Sequence, residues 1–220
     1  MPEPTQKMLV EPRWPVVLTI AVVLSLLGLL PNRVRDFPNW VLPFVASTII
    51  VPMTALSLTT AQERWLRIEK IATVAFLAAA GGATVHNLAE LLTYMVYRSA
   101  EITGLLLLTS SIAVWASNVL LFSLAYWRID RGGPEARANH RSRKPDWLFP
   151  QPEREEEAPV VSAPKFVDYL FLAFCTATAF SPTDTLPLTA RAKLLMMLES
   201  MISLVTIVAV AARAINILGS

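Results

Sequence analysis

The sequence predicts an all-α fold, a polytopic bundle of transmembrane helices. Of its 220 residues, 54% are apolar and only 16% are charged, and the mean hydropathy is +0.50. Soluble domains average about a quarter charged residues. The charges also cluster, which leaves several uncharged stretches close to the roughly 20 residues that a helix needs to cross a bilayer. We therefore expect a multi-pass membrane protein and not a soluble enzyme.

Four apolar stretches fill the first 127 residues, and each predicts one spanning helix. They cover residues 14–30, 40–58, 71–97 and 102–127. Trp14 and Trp40 begin two of them, and tryptophan is enriched where helices enter the headgroup region. The charged segment 59–70 joins the second stretch to the third, and we expect it in water or among headgroups. Residues 1–127 thus form the first predicted region, a four-helix transmembrane unit.

A polar segment follows from residue 128 to residue 164. Proline recurs along it, and it holds a basic part at 137–144 and an acidic part at 153–157. Segments with this composition cannot bury enough apolar surface to fold by themselves. The sequence therefore predicts a flexible polar loop here.

Residues 165–220 form the third predicted region, a short helix, a turn and a last spanning helix. Within the short apolar segment Phe166–Phe180, residues Asp168–Thr178 resemble the pore helix of potassium channels, and the channel motif T-x-T-T-V-G-Y-G-D-x-x-P-x-T continues from it. Matching positions on that spacing are Thr176, Thr178, Asp184, Pro187 and Thr189. The segment Ala190–Ser200, which includes Glu199, is similar to the start of the channel's inner helix. The resemblance covers residues 166–216 and implies a channel-like pore module.

The filter is where the sequence departs from the channel family. Ser181, Pro182 and Thr183 stand where the family has G-Y-G. A potassium filter lines up backbone carbonyls in place of the ion's water shell, and its glycines permit backbone angles that other residues resist. Proline fixes its own φ and restricts the residue before it. The resemblance therefore implies conduction of a monovalent ion without potassium selectivity, or a relic that does not conduct, and a homo-oligomer if the pore is retained.

The topology of the last region depends on whether Phe166–Phe180 crosses the membrane or dips and returns. The N-terminal segment, the 59–70 connector and the 128–164 loop share one side and hold more Arg and Lys than the opposite connections at 31–39 and 98–101. The positive-inside rule places that side in the cytoplasm. A channel pore helix would instead place the loop outside. We therefore favour six spans, with five spans and a re-entrant pore helix as the alternative.

Several polar residues are predicted to lie within the membrane. They are His86, Asn87, Glu90, Glu199 and Arg213. His86 and Glu90 are four residues apart on one helix face, and an ionisable residue inside a span is a functional hypothesis by default. We expect His86 and Glu90 to form a proton relay, as in a small proton-coupled transporter, or an ion site. The alternative is that they lie at the interface or pair to fix helix packing.

A second polar group lies where a filter would be. Its members are Thr176, Thr178, Ser181, Pro182, Thr183 and Asp184. They line a pore or vestibule, or they form a capped turn in which Thr183 or Asp184 binds backbone N–H groups.

Other function classes find no support in the sequence. No catalytic or phosphate-binding motif is present, so we expect neither an enzyme nor a cofactor. His86 and Glu90 are too few for a structural zinc site. A net charge of +2 without a basic aromatic stripe excludes nucleic-acid binding. The expected partner is the lipid bilayer of a bacterial inner membrane, since the chain also resembles uncharacterised multi-pass bacterial membrane proteins. A structural or regulatory protein that binds a partner through its loop is a further alternative.

Overall fold

The computed structural model describes residues 13–29, 47, 62–97, 103–138, 144–150, 164–180 and 185–218. Its α-helices are α1 (Trp14–Leu29), α2 (Gln62–Tyr97), α3 (Gly104–Ile129), α4 (Pro134–Ala138), α5 (Phe166–Thr178) and α6 (Ala190–Leu218). Two short strands, β1 (Trp147–Leu148) and β2 (Leu186–Pro187), pair antiparallel. The described chain is therefore mostly helical, as the composition predicted.

Three of these helices are long and apolar enough to cross a membrane. The qualifying segments are Leu66–Met95, Gly104–Gly132 and Ala190–Ala212. Two shorter apolar helices, Trp14–Gly28 and Phe166–Thr178, accompany them. By the length and apolar composition of these helices, the prediction of a multi-pass membrane protein is confirmed. The span predicted at 40–58 lies outside the described residues.

Helix α3 is the centre of the bundle, because α1, α2, α5 and α6 all pack against it.

The burial of side chains along α6 indicates the environment of the bundle. Helix α6 buries the polar side chains of Glu199, Ser203 and Thr206 and exposes an apolar row that includes Met201 and Leu204. A surface helix of a soluble protein has the reverse pattern. Polar groups inside and apolar groups outside are what a lipid environment requires.

Four chain segments meet at one end of the bundle. Asp130, directly after α3, accepts hydrogen bonds from the Tyr169 hydroxyl in α5 and from the backbone N–H of Asp146. Asp146 in turn forms an ion pair with Arg191 in the first turn of α6. We call this end the loop face, and we call the opposite end, where α2 ends and α3 begins, the far face.

Helices α1 and α2 also begin at the loop face. Trp14 of α1 lines a cavity of about 480 Å³ together with Trp127 near the end of α3 and Phe166 at the start of α5. Arg13 forms an ion pair with Glu69 in α2. Arg13, Glu69 and the packed part of the loop therefore lie at the same end of the bundle.

The strand pairing bears on the predicted path of α5. β1 precedes α5 and β2 follows it, yet Trp147 pairs with Pro187 at the loop face. At about 1.5 Å per residue, α5 is about 20 Å long, which is short of the roughly 30 Å hydrocarbon core. The six-span arrangement places the two flanks of α5 on opposite sides, so it does not fit this pairing. The alternative arrangement, five spans and a re-entrant pore helix, places both flanks on one side and fits this pairing.

The segment predicted as a flexible loop contains two packed parts. Residues 128–138 and 144–150 lie against the bundle, and Asp130, Asp146 and Trp147 are completely buried. Composition predicted a loop because it averages over the segment, whereas a few anchoring side chains decide the packing. The rest of the predicted loop lies outside the described residues.

Candidate functional site

A carboxyl group is buried inside the membrane-spanning part of the bundle. Glu199, in the third turn of α6, has no exposed surface. The Tyr126 hydroxyl of α3 donates a hydrogen bond to its Oε2 atom. Its Oε1 atom has no hydrogen-bond partner in the described part of the chain. A carboxyl in this setting is costly to maintain and is a strong functional candidate.

An amide holds the backbone around this carboxyl. Nδ2 of Asn118 donates to the carbonyl oxygen of Glu199 at 3.1 Å and to Oγ of Ser203 at 2.9 Å. Hydrogen bonds of this kind join transmembrane helices, which have no hydrophobic drive to associate in lipid. We call these four residues the Glu199 cluster: Glu199 and Ser203 of α6, and Tyr126 and Asn118 of α3. Their hydrogen bonds hold α6 against α3. The sequence analysis found Glu199 but not its partners on α3.

The two threonines of the predicted filter bond to their own helix. Oγ1 of Thr176 donates to the carbonyl oxygen of Leu172, and Oγ1 of Thr178 donates to that of Phe174, each at 2.8 Å. Ser200 of α6 donates to the carbonyl oxygen of Thr176 at 3.2 Å. Their hydroxyls are thus committed to the end of α5. The other predicted members, Ser181, Pro182, Thr183 and Asp184, lie outside the described residues.

The polar residues of α2 were predicted to lie together within the membrane, but they differ in burial. Asn87 is completely buried, whereas His86 is exposed and Glu90 is half-buried. Neither side-chain amide atom of Asn87 has a hydrogen-bond partner in the described chain. The structure therefore places Asn87 inside the bundle and leaves His86 outside it. The side chain of Arg213 lies outside the described part.

A second polar network closes the loop face, and the sequence analysis missed it. The Asp146 carboxylate accepts hydrogen bonds from Oγ1 of Thr189 at 2.6 Å and from both the Nε and Nη2 atoms of Arg191. The N–H of Leu188 donates to the carbonyl oxygen of Asp146 at 2.8 Å. Asp146 therefore holds the chain that follows α5 against the segment that precedes α5.

Arg137 completes this loop-face network. Its Nη1 atom donates to the carbonyl oxygens of Trp127 at 2.8 Å and Asp130 at 2.9 Å. Its guanidinium carbon also lies 5.3 Å from the centre of the Tyr169 ring, within range of a cation–π interaction. The sequence placed Arg137 in a basic, solvated stretch. The structure instead buries it among the ends of α3 and α5.

Within the described ranges, no three His, Cys, Asp or Glu side chains are grouped so that they could hold a metal ion. No protein-family model, no curated protein and no solved structure matches this chain.

Proposed function

We propose that this protein is a channel-like integral membrane protein in which a re-entrant hairpin lines a path for monovalent ions. The hairpin consists of α5, the chain that returns from it, and α6. The observation that carries the proposal is the pairing of β1 with β2, which brings both flanks of α5 to the loop face.

Backbone that leaves a helix within the membrane is tolerated in few environments. Helix α5 ends at Thr178, about 20 Å from its start, and β2 lies back at the loop face. The proposed hairpin returns over that depth between Thr178 and Leu186. Non-helical backbone at membrane depth is tolerated only where it is buried in protein or lines a water-filled cavity. A returning segment with Ser181, Thr183 and Asp184 suits a water-filled cavity.

The direction of entry differs from that of a potassium channel. The charge rule assigns the loop face to the cytoplasm, and Lys165, Arg191 and Lys193 add positive charge on that face around the hairpin. The proposed hairpin therefore enters from the cytoplasmic side. The likeness to a channel is one of shape and spacing, and the proposed ion path is not potassium-selective.

A homo-oligomer is part of this proposal. Helix α6 exposes an apolar row, and a groove of about 590 Å³ between the end of α5 and α6 is lined in part by Thr176, Phe180 and Met201. Channels enclose their path between subunits, and these surfaces are where a second copy would complete it.

The test is ion flux through the purified protein in liposomes. We expect flux of K⁺ or Na⁺ above that of protein-free liposomes, and we expect Asp184→Asn to change the ratio between the two ions. Glu135→Gln, which alters a carboxylate of the loop face, is the matched control. No flux for any monovalent ion would remove the conducting function. The alternative of partner binding through the loop has less support, because residues 128–138 and 144–150 pack onto the protein itself.

A further inference from the structure

Several buried polar groups inside the bundle lack a hydrogen-bond partner among the described residues. They belong to three different helices: the Thr73 hydroxyl and the Asn87 amide of α2, the Ser117 hydroxyl of α3 and the Oε1 atom of Glu199 in α6. Each of these side chains is at most 1% exposed. A polar group without a partner is costly in an apolar interior and more so in hydrocarbon. Such a set is unusual, because buried polar groups in folded proteins are almost always paired.

The polar groups of α2 form one row along the helix. Glu69, Thr73, Thr84 and Asn87 are buried, and their spacing places them on one face. At about 1.5 Å per residue, Asn87 lies about 27 Å along the helix from Glu69. This is nearly the thickness of the hydrocarbon core, roughly 30 Å. The row therefore starts near the loop face and spans most of a hydrocarbon core, and at about 1.5 Å per residue it ends about 15 Å before the last residue of α2.

The groups on α3 and α6 lie at depths between these two ends. At about 1.5 Å per residue, Glu199 is about 14 Å from the start of α6, and Ser117 is about 18 Å from the end of α3. Both of those helix ends are at the loop face. Helix α2 packs against α3 and also contacts α6. Three helices that contact one another therefore each carry buried polar groups within this range of depth.

We propose that these groups form a proton path through one subunit, with Glu199 as the group that binds and releases the proton. We call it the polar seam: Glu69, Thr73, Glu199, Ser117 and Asn87. Water molecules are the partners that suit its unpaired atoms, since a buried water typically bridges two to four polar groups. Hydroxyl groups both donate and accept hydrogen bonds, so Thr73 and Ser117 keep such waters aligned.

The transfer step needs no further reactant. A hydronium or water on one side gives a proton to Oε1 of Glu199, where one O–H bond forms as another breaks. The same proton then passes to water on the other side. The Tyr126 hydroxyl, which binds Oε2, keeps the carboxyl in place while Oε1 exchanges its proton. Charged groups near the loop-face end include Arg13, paired with Glu69, and Arg191 and Lys193 on α6, in addition to Asp130, Arg137 and Asp146 of the loop-face network.

The chemistry of the seam favours protons over larger cations. A bare metal cation needs about six oxygen ligands, whereas the middle of the seam offers one carboxyl, hydroxyls and an amide. A proton needs one acceptor at a time. The seam also lies within one subunit and uses neither α5 nor the chain that returns from it, so it goes beyond the proposed ion channel.

The experiment measures proton uptake into liposomes that contain the purified full chain and a pH-sensitive dye, with a potassium diffusion potential set by valinomycin. We expect uptake well above that of protein-free liposomes. Glu199→Gln keeps the shape of the side chain but removes its proton exchange, and we expect at least a tenfold decrease. Asn87→Leu removes an amide without a partner in the described chain, and we expect a similar decrease. Glu135→Gln, outside the seam, is the matched control and keeps wild-type uptake.

Thermal unfolding of the same variants separates a path from a merely structural role. Replacing an unpartnered buried amide by an apolar side chain of similar size does not destabilise a protein, so Asn87→Leu is expected to fold and to unfold at the wild-type temperature or above. Folded Glu199→Gln and Asn87→Leu proteins with wild-type uptake would overturn the proposal, as would wild-type uptake equal to that of empty liposomes. Proton uptake without K⁺ or Na⁺ flux would instead remove the channel proposal and leave the seam standing.

Discussion

Asp146 and Arg191 are 45 positions apart in the chain, yet they form a two-point ion pair that closes the loop face. Asp146 precedes β1, and Arg191 lies in the first turn of α6, so the pair joins the chain before α5 to the chain after it. Asp146 is completely buried, whereas the Arg191 side chain is half exposed. The pair therefore stabilises the arrangement in which both flanks of α5 lie at the loop face.

We expect Arg191→Ala to destabilise the protein by about 3 kcal/mol, because the buried Asp146 carboxylate loses its charged partner. Thermal unfolding of the detergent-purified protein measures the change. Lys193→Ala, which removes an exposed cation two residues away, is the matched control and is expected to change little. A double-mutant cycle with Asp146→Ala isolates the pair. Additive effects of the two substitutions would contradict the assigned ion pair.

The returning path of α5 makes a prediction about topology. If α5 enters and returns, the 128–164 loop and the end of α6 lie on opposite sides of the membrane. If α5 crosses, they lie on the same side. A single cysteine at Ser142 and another at Ser220, each in a Cys175→Ala background, are labelled from outside intact cells with an impermeant reagent. We expect protection at Ser142 and labelling at Ser220, and the same outcome at both positions would contradict the re-entrant path.

The sequence predicted the helices better than their connections. The apolar stretches that predict α1, α2, α3 and α6 are long, and composition alone identifies them. The choice between crossing and returning rested on 15 residues of marginal length. Arg191 and Lys193 also bear on this choice. They follow α5, and under six spans the positive-inside rule would place them on the wrong side.

The candidate site was predicted only in part, for a similar reason. Glu199 and Asn87 stand out as polar residues in apolar stretches. Tyr126, Asn118 and Ser203 do not stand out, because hydroxyl and amide side chains are common in spanning helices and only the packing of α3 on α6 gives them a role. The burial of Asp146 and Arg137 likewise depends on contacts that no local pattern contains.

Asn118 makes a measurable contribution to holding α3 and α6 together. We expect Asn118→Ala to cost about 1 kcal/mol, since double-mutant cycles on membrane proteins give hydrogen bonds between helices about 0.6 kcal/mol each on average. Thermal unfolding measures the effect. Thr109→Ala is the matched control, because the Thr109 hydroxyl is exposed and bonds to Leu105 and Leu106 of its own helix. Equal losses in the two variants would show that the bonds between helices add nothing beyond local ones.

Two glycines provide a test of the packed part of the loop. Gly133 has a φ of +98°, and a Cβ there would lie 3.0 Å from the carbonyl oxygen of Arg128. Left-handed backbone costs an L-residue roughly 1–2 kcal/mol, so we expect Gly133→Ala to destabilise by at least that amount. Gly82, inside α2, has nothing within 4 Å of a Cβ, and Gly82→Ala is expected to stabilise by up to about 1 kcal/mol through helix propensity. Opposite shifts in the unfolding temperature are therefore expected from the same substitution. If the loop were flexible around Gly133, its substitution would change nothing, and this outcome would contradict the packed turn that connects α3 to α4.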